Sequence, residues 1–129
     1  MPQVKAHRHE ETFNSVSHGI GAVLAVIGMV LLLSRNGHKT EYATLTIAIY
    51  SITLIAMFTV STAYHITKNI RLTKKLRVLD HINIFFLIAG TYSPVALITL
   101  IHGNGWLIFY AVWTIAAIGA LFKFFYTGT

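Results

Sequence analysis

Long apolar runs alternate along this chain with short polar ones. The apolar runs cover residues 16–33, 42–65, 82–101 and 106–123, and residues 42–64 hold no Asp, Glu, Lys or Arg. At a helical rise of about 1.5 Å per residue, each run is about long enough to cross a hydrocarbon core of ~30 Å. The pattern predicts an all-α integral membrane protein with four transmembrane helices.

The connections carry their own signals. Residues 35–41 form a short polar loop with Gly37, and His102-Gly103-Asn104-Gly105 is a tight-turn sequence. Residues 66–79 read as a basic loop, with Lys68, Arg71, Lys74, Lys75 and Arg77 and no acid. Pro94 lies inside the third run and is expected to bend or break that helix near Ser93. A basic start before an apolar run also fits a cleaved signal peptide. No small-x-small cleavage pattern precedes Arg35, however, and further spans follow, so the first helix is expected to be retained. Within it Ser17, Gly21, Ala25 and Gly28 make a small-residue stripe that would let a neighbouring helix approach closely, or support helix–helix self-association. Tyr42, Tyr64, Trp106 and Tyr126 stand near span ends, where amphipathic rings prefer the membrane interface.

Composition agrees with this reading. The chain is 55% hydrophobic and 11% charged, whereas an ordinary soluble domain carries about 25% charged residues. The net charge of +6 does not point to nucleic acid, because the bases sit between uncharged spans instead of on an interleaved aromatic and polar surface. They read as topology signals. With a cytoplasmic N-terminus, Lys5, Arg8, the five bases of residues 66–79 and Lys123 lie inside, leaving Arg35 and Lys39 outside, so eight bases against two favour that orientation. The expected location is the cell membrane, multi-pass, with membrane lipids as partners. The absence of cysteine leaves histidine and oxygen as the donors for any metal.

Ionisable groups at the mouth of an apolar span are costly, and the chain has several. Ser61 and His65 lie one turn apart at the end of the second span, on a face with Phe58 and Thr62. Asp80 and His81 open the third span, and Asp80, Asn83, Leu87 and Thr91 make a stripe along it. Glu11, Asn14 and His18 make another at the start of the first, on the same side of the membrane. Three helices are thus expected to turn polar faces toward a bundle interior at one depth, with Ser61, His65 and Asp80 close together and Glu11, Asn14, His18 and His81 around them. Plainer readings stand beside this one. His65 fits an interfacial histidine bonded to a loop carbonyl as well as a metal ligand, Asp80 fits a helix cap, and Glu11 fits a cap of the first helix.

Taken together, Glu11-x-x-Asn14-x-x-x-His18, Ser61-x-x-x-His65 and Asp80-His81 followed by Ala89-Gly90-Thr91-Tyr92-Ser93-Pro94 resemble the bacterial haemolysin III branch of the progestin and adipoQ receptor family. The resemblance covers nearly the whole chain. It implies the first part of a seven-helix bundle with a cytoplasmic N-terminus, so residues 1–129 are expected to form one membrane domain that is incomplete relative to the family. It also implies a cytoplasm-facing zinc held by the histidine of Ser-x-x-x-His, here His65, and by two histidines of a His-x-x-x-His motif on the last helix. Ser61 and Asp80 would position or polarise zinc-bound water. The chain contains no His-x-x-x-His, so two of those three ligands have no counterpart in it. The functions implied are membrane homeostasis, zinc-dependent hydrolysis of lipid amides as in alkaline ceramidases, and a cytolytic pore. No ring of charge within a span supports the pore independently.

Overall fold

In hydrocarbon every backbone N–H and C=O has to be satisfied within its own segment, so uncharged runs of this length fold as helices. The computed structural model describes residues 2–126, with side chains from His9 onward; Lys5 and Arg8, counted in the orientation above, lie outside those described side chains. Four helices follow in order: α1 (Pro2–Ser34), α2 (Ala43–Ile66), α3 (Ile70–Pro94) and α4 (Gly105–Tyr126), with a π-helical segment, Val95–Thr99, directly after α3. All four are long and apolar enough to cross a membrane, and the described residues contain no strand.

Two helices begin earlier than the apolar pattern implies. Of the bases of residues 66–79 only Lys68 lies in a connection; the other four are helical, because α3 already starts at Ile70. The physical reason is local. Asn69 accepts the Leu72 N–H on its side-chain oxygen at 3.1 Å and caps the helix, and Leu, Lys and Arg are strong helix formers with no Gly or Pro to interrupt them before Gly90. Asp80 is therefore mid-helix and caps nothing. In the same way α1 starts at Pro2, which puts Glu11 well inside it and removes its capping role.

Pro94 acts where expected, though it changes the helix type instead of ending the helix. Its ring removes one backbone donor, and the chain continues with the wider π hydrogen bonding over Val95–Thr99, closed by Leu100 N–H donating to the Val95 carbonyl at 3.0 Å. Thr40, from the α1–α2 connection, donates to the Leu97 carbonyl at 2.8 Å. In that connection Asn36 accepts from the His38 N–H at 3.0 Å and donates to Thr44 at 2.8 Å. The left-handed residue there is His38 (φ 49°), so Gly37 is not the residue that makes the turn.

The helices stand as an antiparallel row. α1 packs on α2, α2 on α3 and α3 on α4; among the described residues α1 touches neither α3 nor α4, and α2 does not touch α4. The buried positions are mostly small, including Ala25, Ala43, Ser51, Ser61, Ala89, Ala116 and Ala120, as close-packed membrane helices require. Gly21 lies under the Phe58 ring of α2, where an added Cβ would meet ring carbons at 2.7 Å, and Gly119 takes the Phe85 ring in the same manner. Gly90 abuts Thr53. The small-residue stripe of α1 serves this packing only in part, since Gly28 faces open space. Large side chains such as Phe13, Ile20, Val23, Ile52, Ile118 and Phe122 point outward, as residues facing lipid would.

Candidate functional site

The antiparallel α1–α2 pair brings the start of one helix against the end of the other. Glu11 and His18 lie about two turns apart on α1, and His65 and Ser61 lie one turn apart on α2 in the opposite direction. The four meet two by two. The His65 Nδ1–H donates to Glu11 Oε2 at 2.7 Å, with the side chains 15% and 32% exposed. His18 Nδ1 and Ser61 Oγ share a hydrogen bond of 2.5 Å, and Ser61 is 2% exposed. The two imidazoles lie edge to face with centroids 5.7 Å apart, His18 also meets the Phe58 ring at 5.8 Å, and Tyr64 leans on His65 at 5.0 Å. Gly21 lets α1 come this close, against Phe58.

A cleft of about 710 Å³ opens beside the pairs, lined by Glu11, Thr12, Ser15, Tyr64, His65, Ile66, Thr67, Lys68 and Thr73. Ser15 is buried and donates to the Thr12 carbonyl at 3.0 Å. Sequence reasoning passed over Ser15, although its place one turn after Glu11 on the same face was a usable signal. Lys68 stands in the sequence only as a topology signal, and Thr73 gives no signal there because its place on α3 is hidden by the surrounding charge.

The remaining expected residues are less closely joined. Asn14 is half-buried on α1, and its backbone carbonyl accepts from Ser17. The α2–α3 register, set by Gly90 against Thr53 and by Asn83 donating to the Ala56 carbonyl at 3.4 Å, carries Asp80 to about the level of residues 59–63 on α2, given the equal rise of both helices. Asp80 thus shares the depth of Ser61 and is half-buried, but among the described residues no hydrogen bond or ion pair joins it to Ser61 or His65. His81 Nδ1 is buried without a hydrogen-bond partner among the described residues. Thr91, at the far end of the α3 stripe, is exposed and bonds back to Leu87 of its own helix.

His65 has the form of an oriented ligand: a carboxylate accepts a hydrogen bond from the N–H of one ring nitrogen and leaves the other nitrogen to serve as a donor atom. Among the described residues, though, no group of three or more His, Asp or Glu side chains is placed to hold a metal ion, and a catalytic zinc normally takes three protein ligands. The donors described do not by themselves make a zinc centre.

Four membrane-length helices in a row, with imidazole, hydroxyl and carboxylate paired at one end, define a multi-span integral membrane protein with a polar site near one membrane face. The chain belongs to the Haemolysin-III related family, which matches it over residues 6–128. It is 36% identical over 118 residues to "Hemolysin-3" of Bacillus cereus, covering 91% of this chain and 54% of that protein. It is 30% identical over 118 residues to "Hemolysin-3 homolog" of Bacillus subtilis (strain 168), covering 91% of this chain and 55% of that protein. The chain thus spans about half the length of these relatives. No solved structure matches it.

Proposed function

We propose that this chain serves membrane homeostasis as a haemolysin III-type membrane protein, and that its working part is the pair of bridges joining Glu11 to His65 and His18 to Ser61. The N-terminus and the polar site face the cytoplasm, in keeping with the eight-to-two distribution of bases. One observation carries the reading: a carboxylate and an imidazole are bonded 2.7 Å apart across two helices at the edge of an apolar span. Ionisable groups are rare and costly there, and they mark function more often than support.

Restoration of membrane order, read with a polarity-sensitive lipid dye in cells deleted for their own homologue, tests the proposal. Wild type restores it, and His65→Ala and Glu11→Gln, expressed to the same level, do not. Full restoration by His65→Ala would remove the site from the function.

Metal-dependent lipid hydrolysis is the second reading, favoured by the orientation of His65. It needs donors besides those described, so His65 would be one ligand among several, and Ser61 and Asp80 would assist only in such a completed site. The purified 129-residue chain is accordingly expected to hold well under one equivalent of zinc and to release no fatty acid from ceramide. One equivalent of zinc that is lost in His65→Ala would show that its own residues suffice.

A further inference from the structure

Beyond the polar site, the structure gives the basic stretch a shape that the sequence did not suggest. An orientation signal asks only for positive charge near a span, and a disordered loop would provide it. Here four of the five bases lie on helix. α3 and the π segment together run from Ile70 to Thr99, 30 residues, which is longer than the roughly 20 residues that a bilayer core needs. The surplus is at the basic end. Arg71, Lys74 and Lys75 share one face by their i, i+3, i+4 spacing, Arg77 flanks them, Lys68 precedes them in the connection, and all five are exposed. Among the described residues no carboxylate pairs with any of the five. Ile70 and Leu72, between them, are 74% and 47% exposed. Lys68 and Thr73 also line the cleft of about 710 Å³.

We infer that the first two turns of α3, with Lys68, form a binding surface for the headgroups of anionic phospholipids. The chemistry is complementary at each part. The uncompensated cations sit where a helix leaves hydrocarbon, which is the depth of lipid phosphates, and the four on α3 are spaced outward along the helix through the headgroup layer. Each base near such a surface contributes on the order of 1 kcal/mol, or about fivefold in affinity. The occupant is a lipid of the protein's own bilayer. The bilayer holds such headgroups beside the helix at this depth, whereas free phosphate would have to be drawn from solution.

The chain has no cysteine, so a fluorophore on Leu72→Cys reports this surface alone. The labelled full chain is placed in vesicles in which either phosphatidylglycerol or phosphatidylcholine carries brominated acyl chains, and quenching gives the relative affinity of the two lipids. Phosphatidylglycerol is expected to be preferred about tenfold or more, a margin that two or three bases would supply. The preference drops to near unity in Lys68→Gln/Arg71→Gln/Lys74→Gln/Lys75→Gln/Arg77→Gln, falls by about two- to fivefold in Lys74→Gln alone, and persists in Arg71→Lys/Lys74→Arg/Lys75→Arg and in Lys39→Gln at the opposite membrane face. Equal quenching by both lipids in the wild-type background, no fall in Lys74→Gln, or an equal fall in Lys39→Gln would overturn the inference. So would displacement of the lipid by inorganic phosphate beyond that caused by chloride at the same ionic strength, since that outcome marks a free-anion site.

Discussion

Gly21 and Gly28 look alike in the sequence, yet the structure separates them. Gly21→Ala would drive a methyl group into the Phe58 ring and is expected to cost about 1–3 kcal/mol, as overpacking does, in unfolding of the detergent-solubilised chain. Phe58→Leu in the same chain should recover much of that loss, because the obstacle is the ring. Gly28→Ala meets open space and should be neutral or stabilising by up to about 1 kcal/mol. A comparable loss at both positions would contradict the α1–α2 packing described. For His18 and Ser61, a double-mutant cycle to alanine should give a coupling of about 0.5–1.5 kcal/mol, whereas independent effects would mean that the bond is not formed. The residues of the site were legible as types and spacings, and their depth followed from lying at span ends. Their pairing was not legible, because it depends on how α1 is rotated against α2. That rotation depends on Gly21, whose fit to Phe58 exists only once the helices meet.

At the scale of whole elements, the sharpest difference between pattern and structure is the start of α3. Lys74→Pro decides it: inside a helix proline should cost about 3 kcal/mol or more, read as lowered thermal stability and lost helical circular dichroism, while in a loop it would be nearly harmless. The four spans were legible because hydrocarbon tolerates little besides an uncharged run of that length. The helix beyond hydrocarbon was not legible from apolarity. Its signals were Asn69 as a cap and a stretch of Leu, Lys and Arg without Gly or Pro, and the density of positive charge hid them. The Pro94 distortion was legible as an interruption. Its π form was not, since it also involves Thr40, which reaches the Leu97 carbonyl from 57 residues away in sequence.

For the molecule as a whole, orientation is the property to test. Ile70→Cys and Asn104→Cys lie at opposite ends of α3 and its π extension. With a cytoplasmic N-terminus only Asn104→Cys should react with an impermeant thiol reagent in intact cells, and reaction at Ile70→Cys instead would invert the topology. The row of helices has a further consequence, for biosynthesis. Among the described residues every contact between the four α-helices is between neighbours in sequence, so α1 and α2 do not have to await a later helix before they find each other, and contact order is low for a chain of this length. The Glu11–His65 bond joins residues 54 apart and the His18–Ser61 bond residues 43 apart, and both are complete once α2 has left the ribosome. A nascent chain arrested after α2 enters the bilayer should therefore already hold both bridges, with α3 and α4 added to a hairpin that is folded before they are translated.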